Sequence, residues 1–158
     1  MKNRRELPHS EITADIMQCC FEVIKELGSG FLENVYKNAL CVAMKQKGLN
    51  VLTEQIFEVV FRKQKIGKYI ADLMVENLII VELKCCKTLL PEHQAQLINY
   101  LKASGKPVGL LVNFGNQKLE YNRLHHPDKF IEMEKIEKGT LPFCYQNLLN
   151  KKNTIFSS

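Results

Sequence analysis

Apolar residues first recur at helical spacing. Ile12, Ile16, Cys19, Val23 and Leu27 fall on one stripe, and Gly28 stands where a helix stops. A second helical stretch runs from about Leu32 to Gln46, with Leu32, Val35, Ala39 and Ala43 on one face, and Gly48 ends it. The period then switches to alternation. Val51–Phe61 reads as one strand with a break near Gln55, Ile66–Val75 as a second and Ile79–Cys85 as a third. Pro91, tolerated in a first turn, opens a helix to about Ala103, striped with Leu97, Ile98 and Leu101. Lys106-Pro107 leads into the strongly apolar strand Val108–Val112, and Lys118–Arg123 adds one more strand. The predicted order is α-α-β-β-β-α-β-β. Beyond Leu124 the pattern weakens. Phe130–Glu137 and Tyr145–Asn150 read as short helices, and Lys151 to Ser158 as a frayed end.

The third strand carries the first chemical clue. Leu78-Ile79-Ile80-Val81 is apolar on both faces until Glu82-Leu83-Lys84. Such a run marks a strand covered on both sides. A carboxylate and an ammonium there cost several kcal/mol unless they are paired or bind an ion. Glu82 and Lys84 share a face because strand side chains alternate.

Register sharpens the argument. A two-residue turn at Glu76-Asn77 pairs Val75 with Leu78 and points Glu82 away from Asp72. A three-residue loop, Glu76-Asn77-Leu78, instead pairs Val75 with Ile79, Leu73 with Val81, Asp72 with Glu82 and Ala71 with Leu83. That register gathers one wholly apolar set on one face and leaves Asp72, Glu82 and Lys84 on the other. A one-residue slip would flip the whole set, so the pattern favours the three-residue loop. Asn77 is its tolerant left-handed residue.

Two adjacent carboxylates repel unless a cation lies between them, and oxygen ligands suit Mg²⁺ or Mn²⁺. A lysine two residues past the second carboxylate can orient or activate water and stabilise charge on a phosphate. Asp followed by Glu-x-Lys on the next strand is thus a compact set for metal-assisted phosphodiester hydrolysis. An exposed cross-strand charge cluster is the competing account. Glu33 and Tyr36, three apart at the start of the second helix, share a face. Glu33 also suits the helix dipole, and Tyr36 also suits a core. Gln96 and Tyr100, four apart on the third helix, form a polar seam beside its apolar stripe.

Composition bounds this picture. The 158 residues, 46% apolar and 25% charged, describe one ordinary globular domain able to bury a core unaided. No apolar run approaches the ~18 residues of a membrane span. The basic start Met1-Lys2-Asn3-Arg4-Arg5 is not followed by a signal peptide's apolar core, so a soluble cytoplasmic protein is expected. A net charge of +5 permits a polyanionic partner without demanding one. The six Cys contain no C-x-x-C, and a zinc site of Cys85, Cys86 and His93 lacks a fourth ligand. Arg123 reads as a surface charge or a phosphate contact, and His93 as a capping or solvated group. Arg62, Lys63, Lys65 and Lys68 form a basic edge that either holds phosphate or guards against strand-to-strand aggregation.

Together these residues resemble the GxxExxY proteins, a family of the PD-(D/E)XK nuclease superfamily. Gly30, Glu33 and Tyr36 match the motif that names the family. Asp72, Glu82 and Lys84 match the superfamily's metal and catalytic signature, although Ala71 rather than Pro precedes Asp72. Gln96 and Tyr100 match a Q-x-x-x-Y element. Lys106 to Gly115 resembles the family's strand after that helix. The resemblance spans about His9 to Arg123 and implies a nuclease-like domain over 9–123, with 124–158 as an extension of unassigned role. It implies an α/β core with a central mixed sheet flanked by helices. It further implies Mg²⁺ (or Mn²⁺) held by Asp72, Glu82 and the backbone carbonyl of Leu83, with Glu33 contacting the metal directly or through water. Lys84 would serve the attacking water, and Gln96 and Tyr100 would position the lysine or the nucleic-acid backbone. The expectation is a Mg²⁺-dependent nuclease with DNA as favoured substrate. The alternatives are a non-cleaving nucleic-acid- or protein-binding module, or a subunit active only as a homodimer or in a larger complex.

Overall fold

A computed structural model describes residues 7–128. The chain divides into two units, Met1–His126 and Pro127–Ser158, and the account below concerns the first. The helices expected within 130–137 and 145–150, and the basic residues Lys2, Arg4 and Arg5, lie outside the described residues. Among the described residues no helix is long and apolar enough to cross a membrane.

The elements are α1 (Ser10–Leu27), α2 (Glu33–Gln46), β1 (Val51–Phe61), β2 (Gln64–Val75), β3 (Ile79–Lys84), α3 (Pro91–Ser104), β4 (Val108–Asn113) and β5 (Glu120–His125). They form the expected α/β arrangement: a five-stranded mixed sheet in the order β1-β2-β3-β4-β5. Only β3 and β4 run parallel, joined across α3. β3 and β4 lie at the centre and are buried along almost their whole length, which is why their sequences are apolar on both faces.

Helices cover both sides. Ile16, Cys19, Val23, Tyr36, Leu40 and Met44 of α1 and α2 pack on one face of the sheet, against a layer that includes Leu73, Val81, Leu83 and Leu110. On the other face, Leu97, Tyr100 and Leu101 of α3 pack against Ala71, Ile80 and Leu111. The burial of α2 departs from the predicted stripe. Leu32 is 80% exposed and Val35 is also exposed, while Tyr36, Leu40 and Met44 are wholly buried. The helix is turned by about one residue, roughly 100°, because this neighbouring stripe carries the larger side chains to bury.

The β2–β3 loop has the predicted register: Val75 pairs with Ile79, Met74 with Ile80 and Leu73 with Val81. Glu76 and Asn77 both take positive φ, 52° and 55°. β5 begins at Glu120 rather than Lys118 and runs to His125, because it is laid down by antiparallel pairing from Asn113–Glu120 to Val108–His125.

β2 pairs with β3 only over Leu73–Val75, whereas its pairing with β1 extends from Val51–Val75 to Phe61–Gln64. Residues 55–70 are therefore a two-stranded arm. Its tip is the two-residue turn Arg62-Lys63, with φ of 47° and 66°, as the mirror-image turn that follows strand twist requires. Neither residue is glycine or asparagine, so each costs on the order of 1 kcal/mol in this conformation.

The far end of β4 is tied to the segment after β3. Wholly buried Asn113 accepts from the Cys86 N–H (3.1 Å) and donates to the Cys86 carbonyl (2.9 Å). The Phe114 N–H donates to the Lys84 carbonyl at 2.8 Å. Gly115 permits this approach: a Cβ there would lie 2.2 Å from the Cys86 carbonyl oxygen. Gly115→Ala is accordingly expected to destabilise the protein by about 1–3 kcal/mol in urea or thermal unfolding. Unchanged stability would show that the close approach does not constrain the chain.

Candidate active site

At Asp72 the regular pairing of β2 lapses on both sides. Toward β1, the ladder passes from Thr53–Leu73 to Gln55–Ala71, leaving Glu54 and Asp72 unpaired opposite each other. Glu54 has φ of 52°, which locates the expected break near Gln55. Toward β3, the ladder ends at Leu73–Val81, so the predicted pairing of Ala71 with Leu83 does not form. Ala71 packs with α3 while Leu73 packs with α1 and α2, so the two apolar sets do not continue as one face. The physical reason is that β2 swings away from β3 into the arm.

Carboxylates fill the fork. The Asp72 N–H donates to Glu82 Oε1 at 3.0 Å, and the Leu83 N–H donates to Asp72 Oδ2 at 3.0 Å. Each acid satisfies a backbone donor on or beside the other's strand, as a ladder carbonyl would. The sequence-predicted pair is thus brought together. Glu82 is only 4% exposed. Burial first, and the Asp72 charge second, push its carboxyl up to about 8.

Lys84 extends from the next same-side position of β3. Its Nζ donates to Gln96 Oε1 at 3.0 Å, and Gln96 Nε2 donates to the Tyr100 hydroxyl at 3.4 Å. Tyr100 sits edge-on to Tyr69 of β2, with centroids 5.2 Å apart. Burial, then the Glu82 and Asp72 charges, push its hydroxyl up to about 12. Both groups predicted to attend the lysine, Gln96 and Tyr100, therefore lie in one electrostatic neighbourhood with it.

Glu33 reaches the same place from the first turn of α2. Its carboxyl is raised by burial and by the charge of Asp72, and lowered by Lys84 and by a hydrogen bond from the Cys85 N–H. Tyr36 does not share its setting. Glu33 stays open to solvent, whereas Tyr36 is wholly buried and stacked on Phe114 with centroids 5.0 Å apart. The Tyr36 hydroxyl donates to the Gly28 carbonyl (2.6 Å) and accepts from the Phe31 N–H (3.2 Å). It fixes the loop that enters α2, and with it the place of Glu33.

Sequence reasoning missed Lys37 and Glu54. Lys37 Nζ lies 3.0 Å from Glu54 Oε1, and its side chain is only 12% exposed. The Glu54 hydrogen bond, with help from the charges of Asp72 and Glu33, raises its pKa. Lys37 follows Glu33 by four residues and so shares its side of the helix, a spacing that was available to find it. Glu54 had no signal beyond the broken alternation.

Other candidates fall elsewhere. His93 Nδ1 accepts from the Leu90 N–H at 3.0 Å and caps α3, so it is not a ligand beside Cys85 and Cys86. Arg123 is half-buried rather than a surface charge, with its guanidinium bonded to the Pro8 carbonyl. Among the described residues no three His, Cys, Asp or Glu groups converge closely enough to make a metal centre by themselves. What the fork offers a cation is two adjacent carboxylates, a buried Glu82 and a half-buried Asp72, with the Glu82 carboxyl raised by burial first and by the Asp72 charge second. That donor set is hard oxygen and fits Mg²⁺ or Mn²⁺.

A family model described as the PD-(D/E)XK nuclease superfamily matches residues 10–124. No curated protein matches the chain. Among solved structures, the chain is similar to the crystal structure of SSO0001, with 20% identity over 72% of this chain and 62% of that one, at a TM-score of 0.49. It thus spans less than two thirds of that protein's length. It is also similar to an alkaline exonuclease (LHK-Exo) from Laribacter hongkongensis, with 13% identity over 96% and 89% of the two chains and a TM-score of 0.47. The crystal structure of LHK-Exo in complex with dAMP matches with 14% identity over 85% and 77%, again at 0.47.

The raised Glu82 carboxyl has a thermodynamic signature in the metal-free protein. An unfolded carboxyl titrates near 4.5, and this one near 8. The folded state therefore holds the extra proton between those values, and stability falls as pH rises through that window. Gln at 82 keeps an acceptor for the Asp72 N–H and never ionises. Glu82→Gln is expected to melt higher than the parent above pH 8 in EDTA, with the difference shrinking on acidification. Parallel melting profiles across pH would contradict this.

Proposed function

We propose that this chain, which belongs to the PD-(D/E)XK nuclease superfamily, is a Mg²⁺- or Mn²⁺-dependent nuclease that hydrolyses phosphodiester bonds, with DNA as its favoured substrate. We also place it in the GxxExxY branch of that superfamily. The observation that carries the reading is the Asp72–Glu82 fork, in which Glu82 is buried, with Lys84 beside it. The branch assignment is supported by the division of labour around Gly30, Glu33 and Tyr36, in which the tyrosine fixes the loop that sets the glutamate.

Asp72, Glu82 and the Leu83 carbonyl would hold the cation, with Glu33 approaching from α2. When bound, a divalent cation supplies Lewis acidity, offsetting phosphate charge and making water a better nucleophile. The rest is work for the chain's own groups. Gln96 accepts a hydrogen bond from Lys84 Nζ and holds the side chain in place, which leaves other N–H donors free for a water or a phosphoryl oxygen. Tyr100 receives the Gln96 amide N–H, so that the amide oxygen faces the lysine. Lys37, tethered to Glu54, adds a second positive charge on the α2 side. Fixed charges in a partly desolvated site stabilise a developing phosphorane more than water does.

Two measurements test the proposal. Asp72→Asn, Glu82→Gln and Lys84→Ala are each expected to lower cleavage by at least about 10²-fold, assayed on single- and double-stranded DNA and RNA with Mg²⁺ or Mn²⁺. A parent protein that cuts none of these polymers overturns hydrolysis as its function. Independently of turnover, Mn²⁺ is expected to raise the melting temperature of the parent through preferential binding to the folded state, and to leave Asp72→Asn and Glu82→Gln nearly unmoved. An equal shift in all three would place the cation elsewhere.

A further inference from the structure

The β1–β2 arm has no task in the chemistry just described, yet it springs from it. Asp72 lies on β2 at the base of the arm, and the same strand continues outward through Lys68 and Lys65 to the tip. Nearly every residue from 58 to 68 is exposed. Arg62, Lys63, Lys65 and Lys68 stand there against a single carboxylate, Glu58. Lys65 is matched to that glutamate at 2.6 Å, which leaves the other three as surplus positive charge. At the tip, the Arg62 guanidinium lies 5.0 Å over the ring of Phe61, itself 56% exposed. A flat aromatic–guanidinium pair amid cations is a surface on which nucleobases stack.

The tip also keeps Arg62 and Lys63 at left-handed positions where Asn-Gly would be easier to hold. Along an extended strand of ~3.3 Å per residue, Lys68 stands about 13 Å and Lys63 about 30 Å from Asp72. The second figure is close to one duplex turn, about 34 Å.

We infer that the β1–β2 arm is a nucleic-acid-binding element, in which Lys68, Lys63 and Arg62 contact backbone phosphates up to about one helical turn from the bond held at Asp72, and Phe61 with Arg62 receives a base. The inference rests on the proposed nucleic-acid substrate and assigns the arm to its recognition. It makes affinity depend on polymer length: the tip reaches only a substrate long enough to extend beyond the site.

The test is fluorescence anisotropy of the full chain in an Asp72→Asn background. Asn keeps an acceptor for the Leu83 N–H and stops hydrolysis during the titration. The probes are single-stranded and duplex DNA of roughly 6 and 20 nucleotides or base pairs, below and above one helical turn. Arg62→Asn combined with Lys63→Gly removes two cations while installing residues that favour the turn, so an unfolded arm does not explain its effect. Lys45→Gln, at the exposed far end of α2, controls for loss of a cation away from the arm.

The double variant is expected to bind the longer probe about tenfold more weakly, with a salt slope shallower by about 1.8 on duplex. It should bind the shorter probe, and Lys45→Gln should bind both, as the parent does. Which longer probe loses more identifies the strandedness of the substrate. Equal affinity of the double variant and Lys45→Gln overturns the inference. So does a change confined to self-association by light scattering, which would assign the arm's exposed apolar side chains to a second copy of the chain. Cleavage by the otherwise native chain separates the premises. Arm-dependent binding without cleavage overturns hydrolysis alone, and unchanged binding with intact cleavage overturns the arm alone.

Discussion

Two carboxylates replace a rung of backbone hydrogen bonding where β2 leaves β3. Asp72 accepts from the Leu83 N–H, Glu82 accepts from the Asp72 N–H, and the strands diverge without stranding either donor. A buried donor left unmatched costs about 1–3 kcal/mol, so a fork needs side chains to close it. Here the residues that close it are also the acids proposed to hold the cation. Charge repulsion is the consequence. Glu82 is held near a carboxylate in a buried place and retains its proton to about pH 8.

Everything adjacent serves to hold that fork and what faces it. β3 is central and buried, so Glu82 and Lys84 project from a strand flanked on both sides by the sheet and covered on both faces. α3 brings Gln96 and Tyr100 against Lys84 at a spacing of one helical turn. Asn113 grips Cys86, directly after β3, and Gly115 makes room for it. On the opposite side of the sheet, Tyr36 locks the loop into α2 and thereby places both Glu33 and Lys37. The site draws on three layers: the sheet, α3 and α2.

The edge of the sheet has a different character. β1 is a long edge strand, and such edges invite pairing with other chains. The bulge between Val59 and Val60, the left-handed Glu54 and the lysines of the arm all break up a flat, continuous edge. The same lysines give the arm its positive charge, so protection against aggregation and attraction of polyanions are compatible properties of one surface.

The order of elements, the three-residue β2–β3 loop and the coming together of Asp72, Glu82, Lys84, Gln96 and Tyr100 were legible in the chain. Alternation decides the register that joins Asp72, Glu82 and Lys84, and one helical turn joins Gln96 to Tyr100; that this seam meets Lys84 was implied by the family resemblance alone. The face of α2 was not legible, since two neighbouring stripes were apolar and only packing against the sheet chose Tyr36, Leu40 and Met44. Nor was the loss of the Ala71–Leu83 pair, because nothing in a hairpin's alternation says where a strand will leave its neighbour. Lys37 and Glu54 join the site across 17 residues, through a helix and a strand that meet only in the folded chain. Short-range pattern thus determined which residues face the same way along one element. Only the tertiary structure decided which elements diverge, which stripe is covered and which distant charges end up together, because those outcomes depend on the competition among surfaces for burial.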